Sequence, residues 1–182
     1  MKKLLIMIAV LLAANTYTHA QIKKVSLQAS GLTCSMCSNA INKSLKSLSY
    51  VDKVMANIQT STFDISFKPG VKVNFDELKK KVEDAGFFVA NLNATVNFNN
   101  LAVQKDQHIN YEGMTFHVLN ANGQVLNGEQ IIKIVDKGFV AAKTFKKNTL
   151  LTKMDCYKTG VAASCCKKDG LAAGSRIFHV TI

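Results

Sequence analysis

Two cysteines separated by two residues, Cys34 and Cys37, are the residues whose types and spacing point most directly to chemistry. They lie in residues 31–37, which read Gly-Leu-Thr-Cys-Ser-Met-Cys and precede an amphipathic stretch. At the start of a helix two such thiols converge on one point, and the first-turn N–H groups and the helix dipole favour their thiolate forms. Thiolates are ligands of soft metal ions, so the sequence predicts a metal site at Cys34 and Cys37.

The residues that position this pair predict the element order β-α-β-β-α-β. Alternating apolar residues indicate strands at Val25, Leu27 and Ala29, at Val54, Ala56 and Ile58, at Phe63, Ile65 and Phe67, and within residues 87–96. Apolar residues spaced to share one face of a helix predict two helices. The first contains Ile41, Leu45 and Leu48 after Cys37, and the second contains Phe75, Leu78, Val82 and Ala85 after the capping residue Asn74. In about 75 residues this order predicts a four-stranded antiparallel sheet with both helices on one face.

The segment from residue 31 to residue 37 resembles the Gly-Met-Thr-Cys-x-x-Cys signature of heavy-metal-associated domains. The tripeptide Ala85-Gly86-Phe87 is similar to the second landmark of that family, and the resemblance covers about residues 22–96. One departure is Leu32, where the family usually has methionine packed inward, so leucine should preserve the core without affecting ligation.

The resemblance implies a ferredoxin-like fold in which Cys34 and Cys37 bind a soft ion, most often Cu(I), with Hg(II), Ag(I) or Zn(II) as other candidates. It implies that Phe87 packs beneath the metal loop, and we expect Met36 to point away from the ion. Relatives include copper chaperones, metal-binding domains of copper-exporting ATPases and a periplasmic mercury-binding protein. The implied partner is therefore a metal-donor or acceptor protein, such as a copper-transporting ATPase or an envelope efflux component.

The main alternative for a Cys-x-x-Cys pair at a strand–helix junction is thiol–disulfide exchange, as in thioredoxin-like proteins. No tryptophan precedes Cys34, and Pro69 lies between a strand and a helix, where a cis-proline facing the thiols is not expected. The predicted order of elements also differs. These features favour metal binding over redox chemistry.

The composition changes near residue 97, which predicts two domains, at residues 21–97 and 98–182. Short strand candidates follow at residues 101–103, 115–119, 125–126, 131–135, 139–145 and 177–182, with Asn-Gly turns at 122–123 and 127–128. Their pattern predicts a small all-β barrel or sandwich, with an OB-like barrel as one candidate. The fold class of the whole chain is thus α+β.

Three further cysteines, Cys156, Cys165 and Cys166, occur in a glycine-bounded stretch of the second domain. Because adjacent cysteines rarely bond to each other, one alternative is a disulfide from Cys156 to Cys165 or Cys166. A second alternative is a soft-metal site formed by the three thiolates, and a third is free thiols without a role. His108, His117 and His179 show no ligand spacing, and we expect them to be structural.

The first twenty residues have the features of a cleaved secretory signal: Lys2 and Lys3, an apolar run, and Thr-His-Ala at 18–20. This predicts an exported, periplasmic protein whose net charge falls from +11 to +9 after cleavage. Export disfavours a nucleic-acid partner, and no later run is long enough for stable membrane insertion. No nucleophile–base pair, paired carboxylates or phosphate loop is evident, so we expect a metal-handling protein and not an enzyme.

Overall fold

The computed structural model describes residues 22–32 and 34–182, so the leader predicted at residues 1–20 lies outside the described residues. The strands are β1 (Ile22–Ser30), β2 (Val51–Asn57), β3 (Thr62–Phe67), β4 (Phe88–Val103), β5 (Gln107–Tyr111), β6 (Met114–Val118), β7 (Gln124–Ile134) and β8 (Ile177–Thr181). The α-helices are α1 (Ser35–Lys46), α2 (Phe75–Asp84), α3 (Ala142–Asn148) and α4 (Cys156–Thr159), and Ser164–Asp169 is a 3₁₀-helix. None of the helices in this part of the chain has the length and apolar content needed to cross a bilayer.

The first half of the chain confirms the predicted β-α-β-β-α-β order and the ferredoxin-like fold. Strand β1 lies between β3 and β4 and is antiparallel to both. Helices α1 and α2 pack together, and the Ser44 hydroxyl of α1 donates to the Lys81 carbonyl of α2 at 2.7 Å. The Asn74 side chain accepts the N–H groups of Asp76 and Glu77 at 3.0 and 3.2 Å, which confirms it as the cap of α2.

Strand β4 connects the two halves of the molecule. One edge of it pairs with β1, and the other pairs with β7 from Leu92–Ile134 to Val103–Gln124. The described strands therefore form one eight-stranded sheet in the order β2-β3-β1-β4-β7-β8-β6-β5. The boundary between residues 97 and 98 falls inside β4, and the division into two folding units stays a prediction.

The OB-like barrel or sandwich predicted for residues 98–182 is not confirmed, because these strands extend the first sheet instead of closing on themselves. The strand predicted at residues 139–145 is wrong. Only an isolated bridge from Lys137 to Val140 forms there, and α3 follows. Phe145, which the sequence pattern placed in a strand, belongs to this helix. Its ring stacks on that of Tyr157, with the ring centroids 4.8 Å apart.

Arg176, next to β8, joins the second half to the first. Its Nε and Nη2 donate to the two carboxylate oxygens of Asp76 at 2.8 and 3.1 Å, at the start of α2. Its Nη1 donates to Asp136 at 3.2 Å, and its guanidinium lies 4.1 Å from the ring centroid of Phe178. Because the Asp136 side chain is only 4% exposed, this arginine is the neighbouring cation of a buried carboxylate.

We predict that Arg176→Ala lowers the free energy of unfolding by about 1–3 kcal/mol, because it leaves the buried Asp136 without its cation. Urea unfolding of the reduced mature chain measures this change. The matched control is Lys158→Ala, which removes an ion pair whose two side chains are each 68% exposed and should have little effect. Equal effects of the two substitutions would contradict a stabilising role for Arg176.

Candidate metal centres

The predicted thiol pair lies at the N-terminus of α1. Cys34 is the N-cap residue, with extended backbone, and Cys37 lies in the first turn. The two Sγ atoms are 2.8 Å apart; Cys34 is exposed and Cys37 is partly buried. The first turn of α1 carries no acidic side chain, so the helix N-terminus favours negative charge on the sulfurs without a competing carboxylate in that turn.

Apolar side chains pack beneath the loop that carries the thiols. Gly31 has a φ of +88°, and the Cδ1 atom of Phe87 lies 3.8 Å from the position that a Cβ on Gly31 would occupy. The Phe87 ring is thus placed under the loop, as the resemblance implied. Leu32 packs against the main core, whereas the Met36 side chain is 81% exposed. The leucine therefore takes an inward position, and the methionine lies on the surface.

The three other cysteines lie on α4 and the 3₁₀-helix. Cys156 and Cys166 are buried, and Cys165 is partly buried. The structure does not contain the disulfide that the sequence left open for Cys156, and all three residues are thiols. Cys165 and Cys166 have Sγ atoms 3.4 Å apart. The Sγ of Cys156 instead faces imidazole nitrogens.

The structure brings together the three histidines, although the sequence shows no ligand spacing among them. His117 Nδ1 and His108 Nε2 lie 3.7 and 3.9 Å from Cys156 Sγ, and the ring of His179 is 5.1 Å from that of His117. Sequence reasoning missed β5, which begins at Gln107 and carries His108. The signal that would have shown this pairing is the two-residue turn Glu112-Gly113, where both φ angles are positive, as in a type I′ hairpin.

Burial governs the protonation of the cluster. Desolvation, followed by the neighbouring His179 and His108 rings, lowers the pKa of His117 to about 4. This ring is therefore neutral at pH 7, the form that binds metals. Desolvation, followed by the contact with Cys166, raises the pKa of the Cys156 thiol well above its ordinary value. In the absence of a cation, this sulfur keeps its proton.

Comparison with known proteins locates relatives of part of the chain. The sequence profile of the heavy-metal-associated domain matches residues 26–88. A probable copper-exporting P-type ATPase of Archaeoglobus fulgidus is 32% identical over 71 residues, which are 39% of this chain and 9% of that protein. A cation-transporting ATPase of Oryza sativa subsp. japonica is 37% identical over 65 residues, covering 36% and 6% of the two chains. This chain thus spans less than a tenth of these relatives.

Solved structures match a similar share of the chain. A copper transporter domain of yeast is 33% identical, with 37% of this chain and 90% of that chain covered and a TM-score of 0.33. Oxidized MerP from Ralstonia metallidurans is 28% identical, with 39% and 94% covered and a TM-score of 0.34. The profile match carries the assignment, together with the cysteine motif and its position at the start of α1. Residues 26–88 are therefore a heavy-metal-associated domain.

Proposed function

We propose that this protein is an exported carrier of a soft metal ion, above all Cu(I), which it holds between the thiolates of Cys34 and Cys37. The observation that carries the proposal is an accessible dithiol, with sulfurs 2.8 Å apart at a helix N-terminus, inside a heavy-metal-associated domain. The relatives named as copper-exporting and copper transporter proteins support copper as the ion. Binding and transfer, without catalysis, is the proposed role.

Transfer proceeds by exchange of thiolate ligands. A partner's thiolate adds to the ion, after which the bond to Cys34 or Cys37 breaks. One metal–sulfur bond replaces another, no electron is transferred, and the departing sulfur takes up the proton that the incoming thiol released. Because Cys34 is exposed, the partner reaches the ion without unfolding of the loop.

The donor set determines which ions fit. Two thiolates suit Cu(I), Ag(I) and Hg(II), which are soft. Zn(II) is nearly always held by four ligands in structural sites, so a two-thiol surface pair favours it least.

The place of action is proposed from the leader at residues 1–20 and the domain's relatives. An envelope location puts the protein beside copper-transporting ATPases and efflux components, whose cysteine pairs are the proposed donors or acceptors. The dispersed net charge of +9 after leader removal favours an acidic docking face on that partner. The thiol–disulfide alternative is not supported, because the pair lies in a heavy-metal-associated domain.

We predict that Cys34→Ser and Cys37→Ser each remove one equivalent of tightly bound Cu(I) from the reduced mature chain. Serine supplies a hard oxygen where a soft sulfur is needed, so the tight binding of Cu(I) should be lost. Competition with a Cu(I) chelator, run beside the wild-type chain, measures both the number and the affinity of the sites.

The control for that experiment is Met36→Leu, which removes the sulfur that lies between the two cysteines but is exposed to solvent. We expect wild-type affinity for this variant. A cysteine variant that kept its tight equivalent would refute the site, and a loss of folding in the metal-free variants would indicate a structural role for the thiols.

A further prediction separates two adjacent phenylalanines. Phe87 packs partly buried against the core below the loop, whereas the Phe88 side chain is 69% exposed. Phe87→Ala should lower the free energy of unfolding by about 1–3 kcal/mol, less than for a fully buried aromatic, while Phe88→Ala should have little effect. Thermal unfolding of both variants checks this. An unchanged melting temperature for Phe87→Ala would contradict its packing role.

A further inference from the structure

We propose that the second half of the chain holds a separate, buried site for a transition-metal ion of borderline softness, such as Zn(II) or copper. His117, His179 and Cys156 form its centre, with His108 and Cys166 beside them. This site goes beyond the carrier function, because none of its residues lies in the segment that the family profile matches.

The three histidines form a row across adjacent strands. Antiparallel pairing places His108 of β5 opposite His117 of β6, and parallel pairing places His117 beside His179 of β8. The ring centroids are 4.6 Å and 5.1 Å apart along this row. Helix α4 brings Cys156 against the row, so a sulfur and three imidazoles share one buried space.

The separations suit a metal ion. The ligand atoms of His117, Cys156 and His179 all lie within 4.8 Å of one another, and so do those of His108, Cys156 and Cys166. Tetrahedral Zn(II) bonds of about 2.3 Å to sulfur and 2.0 Å to nitrogen hold neighbouring ligands about 3.6 Å apart. Small side-chain movements would therefore bring the set to bonding distance.

Each imidazole is oriented by a carboxylate on its other nitrogen. The pairs are His108 Nδ1 with Asp169 Oδ2 at 2.6 Å, His117 Nε2 with Asp106 Oδ1 at 3.2 Å, and His179 Nδ1 with Asp136 Oδ1 at 2.8 Å. A carboxylate acceptor places the proton on the nitrogen it contacts and leaves the lone pair on the other nitrogen. This carboxylate–histidine arrangement is the usual support of metal-binding imidazoles.

The clearest sign that a ligand belongs here is His179 Nε2. Its residue is 0% exposed, and within the described part of the chain this nitrogen has no hydrogen-bond partner. Buried polar atoms are nearly always paired, and an unpaired one needs an explanation. A purely structural network would give this nitrogen a protein donor, whereas here it lies with Cys156 Sγ and His117 in one potential ligand set.

The donor set and the position distinguish this site from the thiol pair of the first half. Imidazoles with one thiolate suit Zn(II), Cu(II) and Co(II) better than two thiolates alone do. Strands β4 and β7 lie between β8 and β1, which leads to Cys34, so β1 and β8 are three strand spacings, about 14 Å, apart in the sheet. The sites share no ligand, and each fills without the other.

The test uses the mature chain carrying Cys34→Ser and Cys37→Ser, which isolates the second site from the proposed carrier site. Titration of the reduced protein with Co(II) should give a one-to-one complex with a thiolate-to-cobalt charge-transfer band and tetrahedral ligand-field bands. Zn(II) should displace the cobalt. X-ray absorption of the cobalt form should show mainly nitrogen ligands with one sulfur, a measurement that needs no substitution within the cluster.

Further variants assign the ligands. Cys156→Ser should abolish the charge-transfer band, and Asp106→Asn, which alters only the support of His117, should weaken binding about 10- to 100-fold without abolishing the band. The matched control is Cys165→Ser, because Cys165 belongs to neither candidate ligand set and its loss should leave affinity unchanged.

Three results would overturn the proposal. These are Co(II) bound without sulfur or not at all, a charge-transfer band that survives Cys156→Ser, and a Cys156 disulfide found quantitatively by mass spectrometry of unreduced, metal-treated protein. None of these results bears on Cu(I) binding by Cys34 and Cys37, which the chelator competition measures separately.

Discussion

The backbone hydrogen bonds along both edges of β4 are the interaction on which the rest of the structure depends. Without β7, β4 would be the outer strand of the ferredoxin-like sheet, with unpaired N–H and C=O groups. Pairing from Leu92 to Val103 covers that edge and extends the sheet to eight strands. Because the ladder runs through residue 97 and its irregularity lies beyond Phe98, a hinge at residue 97 would require breaking these hydrogen bonds.

Asp136 is the second point at which the halves are coupled. Its buried carboxylate accepts the backbone N–H and the Nδ1 of His179, each at 2.8 Å, and also contacts Arg176. Arg176 continues to Asp76 at the start of α2, so the orientation of one imidazole in the second half depends on a helix of the first. Arg176 thus links a buried carboxylate of the second half to α2, although its own side chain is partly exposed.

The fold and the thiol pair of the first half could be predicted from the sequence because their signals are local. Alternation, helical stripes, the Asn74 cap and the Cys-x-x-Cys spacing each depend on residues close in the chain. The second half could not, because its decisive contacts are remote: His117 meets His179 through a parallel pairing between β6 and β8, across 62 residues. Only the hairpin joining His108 to His117 was within reach of sequence reasoning, through its Glu112-Gly113 turn.

Access to solvent would give the two proposed metal centres different roles. In the proposed carrier site the exposed thiols would hold the ion at the surface, where an incoming thiolate could reach it, and two-coordinate binding would permit rapid exchange. The histidine–cysteine site is enclosed by β5, β6, β8 and α4, and its release would require these elements to separate. Cys156 and Cys166 themselves form part of a small apolar cluster with Ala162 and Ile177, which holds α4 and the 3₁₀-helix to the sheet. Since so small a cluster buries little apolar surface, an ion bound there would fix that region, and its binding free energy would become folding free energy of the second half.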